Sequence, residues 1–282
     1  MLSVLVNTLW EIKEFHATNS KIYKILEKCL KQEVEKIFGN QGCQEFNFQS
    51  IGNIKLPYFS MGAINSTHLF GLDELIMFSF YKKNIDNYRK VSDLGANIGI
   101  HAIFLSKLGY EVHCYEPDPI HFKQLQNNLK INKVCQIKAK IVNKAVSVTN
   151  SELEFIRVIG NTTGSHLVGS KENVYGKTEK IRVECESFNK ICENSDLIKM
   201  DVEGHEADLI LNTSRAIWLG TDALVEIGSE KNANKIFDFL TKIDVNVFSQ
   251  KIGWQKVNKL SDMPTSHKEG SAFISTKDVM PW

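Results

Sequence analysis

The chain has 282 residues, 43% of them hydrophobic, which is enough for one α/β domain with a sizeable core and an accessory segment. Its 34 Lys and Arg against 33 Asp and Glu leave a formal net charge of +1, so no general field draws it to nucleic acid or to an anionic membrane. Six cysteines without a CxxC pair read as reduced thiols of a cytoplasmic protein, and no stretch approaches the roughly 20 apolar residues of a membrane span.

Taken in chain order, Ile22, Ile25, Leu26, Cys29, Leu30, Val34, Ile37 and Phe38 recur at steps of three and four, predicting an amphipathic helix over 21–38 that Gly39 ends. Its stripe must be covered, by the rest of the chain or by a second copy in a homodimer. Alternation around Phe46, Phe48 and Ile54 predicts a short hairpin, and a second helix follows over 72–83. Residues 1–85 are therefore expected to form a helical and hairpin cap, and 86–282 a second unit.

After Arg89 short apolar runs alternate with helical periods, the pattern of βαβ units in a largely parallel, doubly wound sheet. Strands are predicted at 90–94, 110–115, 136–142, 196–201 and 222–227, and helices at 98–108, 119–131, 204–213 and 230–242. The runs 244–249 and 271–275 close the sheet as an antiparallel pair. Residues 160–180, with four glycines among Asn, Thr and Ser, read as a mobile surface loop of the kind that serves as a lid, and His166 within it as a solvated histidine.

Three junctions carry chemistry. At Val91-Ser92-Asp93-Leu94-Gly95-Ala96-Asn97-Ile98-Gly99 a strand runs into a glycine turn and a helix, with Gly95 and Gly99 allowing the backbone close to a ligand. Asn97 stands where a dinucleotide fingerprint has its second glycine. Asp93 brings negative charge that repels a diphosphate and suits a ligand bearing an amino group and a sulfonium. Glu116 follows Gly95 by 21 residues, near the ~20 at which such folds hold a ribose, and Pro117 stops the strand before the turn.

The third junction, Lys199-Met200-Asp201-Val202-Glu203-Gly204-His205-Glu206, clusters ionisable groups at a strand end. Alternation puts Lys199 and Asp201 on one face, and a lysine in a buried strand needs a partner, which Asp201 supplies. Glu226 reaches the same edge from the neighbouring strand. Glu203 and Glu206 also fit as first-turn acids complementing a helix dipole. His101 reads as a packing residue, and His113 and Cys114 as structural strand residues.

Together these motifs, with Asn127 and Asn128, resemble the FkbM family of methyltransferases over residues 90–228. The resemblance implies a class I methyltransferase sheet, S-adenosylmethionine as methyl donor and a hydroxyl acceptor, often on a sugar or polyketide. Carried over by position, Gly95, Asn97 and Gly99 line the methionine and ribose portions, Glu116 holds the ribose, and Asp201 faces the methyl group. Ala145 fits the alanine after the third strand, with adenine contacts around Asn143.

The expected function is thus O-methyl transfer to a small-molecule or glycan acceptor. Cofactor binding falls to Asp93, Gly95, Asn97, Gly99, Glu116, Pro117, Asn143 and Ala145, and acceptor activation to Asp201, Glu203, His205, Glu206 and Glu226. The base lies between His205, by its natural pKa, and Asp201, by its position. A divalent metal held by Asp201, Glu203, Glu226 and His205 is an alternative to base catalysis; metal-free catalysis is put ahead of it and no metal is assigned, because Lys199 would repel a cation beside Asp201. The rivals are an NAD-dependent oxidoreductase or epimerase on the same sheet, against which stand Asn97 and the lack of a Tyr-x-x-x-Lys pair, and a non-catalytic cofactor-binding subunit.

Overall fold

The computed structural model describes residues 1–135, 137–171 and 176–282. The amino-terminal part comprises α1 (Leu2–Thr8), α2 (Lys21–Phe38), the antiparallel hairpin of β1 (Cys43–Phe48) and β2 (Gly52–Pro57), and α3 (Leu72–Lys83). Ser20 caps α2 by accepting from the Tyr23 N–H, and both long helices have the bounds their periodicity predicts. The apolar stripe of α2 is not covered throughout. Leu30, Val34 and Phe38 are buried, whereas Ile22, Ile25 and Cys29 face solvent. The helix is turned so that Tyr23, outside the expected stripe, is buried and donates its hydroxyl to Asp73 at 2.8 Å.

The alternating part follows as β3 (Lys90–Leu94), α4 (Ile100–Leu108), β4 (Glu111–Tyr115), α5 (Pro119–Ile131) and β5 (Ala139–Val142). Position 136, the first of the expected third strand, lies outside the described residues. Next come β6 (Ala145–Ser147), β7 (Ser151–Ile159), β8 (His166–Leu167), β9 (Lys177–Ser187) and α6 (Phe188–Cys192). The chain closes with β10 (Leu197–Met200), α7 (Glu206–Leu211), α8 (Arg215–Trp218), β11 (Asp222–Glu226), α9 (Glu230–Lys242), β12 (Asn246–Ser249), β13 (Gln255–Lys256) and β14 (Ser271–Ser275).

Eight strands form the main sheet in the order β13-β12-β14-β11-β10-β3-β4-β5. Strands β11, β10, β3, β4 and β5 run parallel, and β14 pairs antiparallel with both β11 and β12. This is the doubly wound α/β class with its antiparallel edge, and the order reverses at β3, the switch point where such sheets bind ligands. The two faces bury separate cores. Val91, Val112, Leu197 and Leu224 pack with α1 to α5, while Leu94, Ile198, Met200 and Val225 pack under α7 and α9. Phe78 of α3 stacks on Phe104 of α4 with ring centroids 3.8 Å apart, and Phe80 meets Phe273 of β14, so the amino-terminal part and the sheet share one core.

A second, four-stranded sheet, β6-β9-β7-β8, takes in His166–Leu167 and 177–180 of the expected loop over 160–180. His166 and Leu167 pair with β7, and β9 starts at Lys177; residues 172–175 lie outside the described residues. Its alternation of apolar and charged side chains buries one face only: Phe155, Leu167, Val183 and Cys185 form a small core. Arg157 ties this sheet to the start of α5 through a buried ion pair with Asp118, the N-cap of that helix, at 2.7 Å. The buried thiols are Cys114, Cys185 and Cys192, with Cys29, Cys43 and Cys135 exposed and all six free. Among the described residues no helix is long and apolar enough to cross a membrane.

Candidate active site

The carboxyl ends of β3, β4 and β10 meet at the switch point. Gly95 leaves β3 at φ +76°, and a Cβ there would lie 1.9 Å from the Asp201 carbonyl oxygen, so only glycine lets the two strand ends approach this closely. Asn97 follows at φ 50° and Gly99 at φ 86° before α4 begins. The Asn97 N–H donates to Glu116 Oε2 at 2.8 Å, and Glu116 Oε1 accepts from the Asp118 N–H at 2.8 Å. One carboxylate thus fastens the first glycine turn to the end of the next strand. Burial pushes the Glu116 carboxyl up to about 8, against the pull of those two backbone donors.

A cleft of about 650 Å³ opens on this turn. Gly95, Asn97, Glu116 and Pro117 form one wall, Ala145 the floor beyond β5, and Asp201 and Glu203 the inner end. The second sheet roofs it with Phe155, Thr162, His166 and Leu167. His166 is therefore a buried wall residue, contrary to the solvated histidine expected, because β8 pairs with β7. His121, at the start of α5, holds the roof by a 2.8 Å contact with the Thr162 hydroxyl.

Three buried oxygens in and behind this cleft have no hydrogen-bond partner among the described residues: both carboxylate oxygens of Asp93 and Oδ1 of Asn97. Orphaned buried acceptors are rare and costly, and they mark where a ligand bearing N–H or O–H donors belongs. Asp93 is fully buried, and its nearest cation is the Lys199 ammonium, 3.8 Å away. Asn143 has a different part: its amide donates to the carbonyls of Glu116 and Pro117 at 2.8 and 3.2 Å, holding the turn from behind, and Gly99 caps α4 outside the cleft wall.

Lys199 lies in register with Asp93 on one side and Leu224 on the other, so it projects to the face covered by the amino-terminal helices. Its ammonium is 3.6 Å from Asp201 and 3.5 Å from the Gly95 carbonyl. Burial would lower its pKa, but the charges of Asp201 and Asp93, with Glu74 and Glu226 behind them, outweigh that and hold it above the ordinary lysine value. Glu226 at the end of β11 is the converse case: burial and the neighbouring Asp201 and Glu74 push its carboxyl well above the usual range.

The remaining acids and the histidine of the third junction diverge. Glu203, at φ 54°, lines the cleft and pairs with Lys171, with burial and Asp201 raising its carboxyl to about 7. Glu206 turns inward, accepting from the Gly204 N–H at 3.0 Å and from Asn232 at 3.2 Å. His205 meets Asp208 at 3.3 Å and Ser170 at 3.4 Å and stays off the cleft wall, its pKa lowered by burial. Among the described residues no cluster of three or more His, Cys, Asp or Glu is arranged to hold a metal ion.

Two contributions lie outside the three sequence motifs. Glu74, from α3, donates no signal of its own in sequence, yet its Oε2 is 2.7 Å from His101 Nε2, while His101 Nδ1 is 3.0 Å from the Tyr81 hydroxyl. Burial, which raises the Glu74 carboxyl, is outweighed by His101 and Lys199, which hold it below the ordinary value. His101 is thus part of a buried polar chain as well as a packing residue. Strands β7 and β9 of the second sheet did carry a signal, the period-two alternation of Leu153, Phe155 and Arg157 and of Ile181, Val183 and Cys185.

Among solved structures, the methyltransferase FkbM from Methylobacillus flagellatus KT superposes with a TM-score of 0.44 at 13% identity, over 89% of this chain and 59% of that one, so this chain spans well under two thirds of its length. A SAM-dependent methyltransferase from Agrobacterium tumefaciens gives 0.43 at 9% identity, over 84% and 71% of the two chains. The precorrin-6y C5,15-methyltransferase from Geobacter metallireducens GS-15 gives 0.36 at 11%, over 68% and 82%. A search among curated proteins found no match. The model of the methyltransferase FkbM domain matches residues 93–247, from the acid of the glycine turn through every strand end of the cleft. With that match over more than half of its length, and with orphaned acceptors and a ribose-type carboxylate that fit S-adenosylmethionine as cofactor, this chain belongs to the FkbM methyltransferase family.

Proposed function

We propose that the chain is an O-methyltransferase that uses S-adenosylmethionine to methylate a hydroxyl of a sugar, polysaccharide or other small natural product. The observation that carries this reading is Asp201: its carboxylate stands at the inner end of the cleft, one third exposed (33%), with Lys199 3.6 Å away. A neutral hydroxyl is a poor nucleophile until its proton is accepted, and a carboxylate open to the acceptor side does that where an amine acceptor would not require it. When bound, the cofactor supplies an electrophilic methyl group on a sulfonium.

The protein's own work is alignment and proton acceptance. Glu116, with Gly95, Asn97 and Pro117, holds the nucleoside portion, and Ala145 bounds its base. Asp93 and the Asn97 side chain offer the cofactor acceptor oxygens that no described residue satisfies. Asp201 accepts the hydroxyl proton, and Lys199 keeps that carboxylate in place. Glu203 narrows the inner end, while Glu206 and His205 stiffen the turn that presents Asp201. The roof of β7 and β8 excludes water.

The test is methyl transfer from ¹³C-methyl S-adenosylmethionine to a panel of sugars, glycans and hydroxylated small molecules, read by the O-methyl resonance and by mass. Asp201→Asn is expected to lower turnover by about 10²- to 10⁴-fold with cofactor affinity retained. Retained turnover in that variant, or methyl groups found on carbon or nitrogen, overturns the reading.

A further inference from the structure

A second cleft, of about 990 Å³, opens on the other side of Lys199 between α2, the turn Ser66–Phe70 and the start of α3. Two of its carboxylates border the ion cluster of the cofactor side: Glu74 feels the charge of Lys199, and Glu226 those of Asp201 and Lys199. We propose that this cleft holds the part of the acceptor away from the reacting hydroxyl, which itself meets Asp201 in the first cleft, and that it is built for a protonated amine, as on an amino sugar or amino-cyclitol. The proposal rests on the O-methyl transfer reading above and assigns that reaction its substrate class.

Charge decides the class. The cleft presents the carboxyls of Glu27, Glu35, Asp73, Glu74 and Glu226 against the single ammonium of Lys31. Lys199 is engaged by Asp93 and Asp201 and does not line it. Glu27 and Glu35 stand exposed at the rim on α2, spaced so that both lie on the helix face that overlooks the cleft, where they attract a cation from solution. Deeper in, Asp73 is held by the Tyr23 hydroxyl and Gln250, and Glu74 by His101.

Glu226 stands apart, because it lines the cleft and accepts no hydrogen bond from any described residue. An unpartnered carboxyl amid other acids is costly, and a cationic donor relieves both the missing bond and the repulsion. A phosphorylated or carboxylated acceptor would meet the same acids with the opposite sign. Leu30, Val34, Phe70 and Leu72 add an apolar part to the walls, which suits the faces of a saturated ring, and Tyr23, Thr67 and His68 add polar groups for its hydroxyls.

The experiment is a titration of the full chain, saturated with S-adenosylhomocysteine, with glucosamine, glucose and glucose 6-phosphate at millimolar concentrations, followed by ligand-observed NMR. Glucosamine is expected to bind at least about tenfold more tightly than glucose, with glucose 6-phosphate bound least. Glu226→Gln and Glu74→Gln should each abolish the preference for the amine. The rim variant Glu27→Gln/Glu35→Gln, which touches only exposed side chains, should weaken it by a few fold and raise its salt dependence.

No binding of glucosamine, equal or better binding of glucose or of its phosphate, or an unchanged amine preference in all three variants overturns the proposal. The hydroxyl reading fails separately. If a bound amino sugar were methylated on nitrogen, the cleft assignment would stand and O-methyl transfer would fall; if the chain bound no S-adenosylhomocysteine, the cofactor reading would fail before any sugar was added.

Discussion

Lys199 and Asp201, two residues apart on one strand end, bring an ammonium and a carboxylate within 3.6 Å on the same face of the sheet, and the same ammonium is the nearest cation to the fully buried Asp93. Removing one member of a buried ion cluster costs more than the cluster contributes, because the others remain desolvated without a counter-charge. Lys199→Met is therefore expected to lower unfolding free energy by about 3 to 5 kcal/mol at neutral pH. Urea denaturation measures it, and a loss below about 1 kcal/mol would mean that water already screens the cluster.

Cofactor affinity should depend on pH through Glu116. Its folded-state carboxyl titrates at about 8, raised by burial, so at neutral pH without cofactor it is mostly protonated. The ionised form offers more acceptor sites to two ribose hydroxyls, so affinity rises with pH, by at most about tenfold per unit, and levels off above about pH 8. The sign for stability is opposite. A carboxyl raised above its unfolded value favours the folded protein at low pH, and that contribution is lost as pH rises through about 8. Calorimetry with S-adenosylhomocysteine across this range checks the first part; Glu116→Gln should flatten the profile and weaken binding by about 2 to 3 kcal/mol.

Gly95→Ala tests the approach of the two strand ends. The added Cβ would fall 1.9 Å from the Asp201 carbonyl in a left-handed backbone that alanine disfavours. The variant should unfold at lower temperature and bind S-adenosylhomocysteine too weakly to measure. Wild-type affinity in a well-folded Gly95→Ala would show that β3 and β10 separate at no cost.

The amino-terminal helices should prove inseparable from the sheet. Phe78 and Phe104 stack across that boundary, both fully buried, so Phe78→Ala is expected to cost about 3 to 5 kcal/mol. A chain starting near Tyr88 would expose this face and should aggregate or bind hydrophobic dyes. A soluble, monomeric and fully active product of that deletion would contradict the assignment of the acceptor side to residues 1–85.

Much of the architecture is written locally. The periods that predict helices at 21–38 and 72–83 and the parallel strands beside Asp93, Glu116 and Asp201 survive folding nearly unchanged, because each segment's apolar spacing admits one buried face. The junction residues were legible for the same reason: a strand that ends in glycine or an acid at the carboxyl edge of such a sheet has one place to put it. The second sheet was less legible, since its strands bury one face only and lie among glycines and polar residues that read as loop.

Tertiary structure alone decided which charges meet. Nothing local in α3 brings Glu74 to His101 and Lys199, or sets Glu226 on the wall of a second cleft, because those distances depend on how the amino-terminal helices dock across residues far apart in the chain. The same docking separated groups that sequence had placed together. His205 and Glu206 share a motif with Asp201, yet the left-handed turn at Glu203 and Gly204 sends their side chains away from the cleft. Proximity along a chain constrains backbone, whereas the direction of a side chain after a turn is settled by what packs against it.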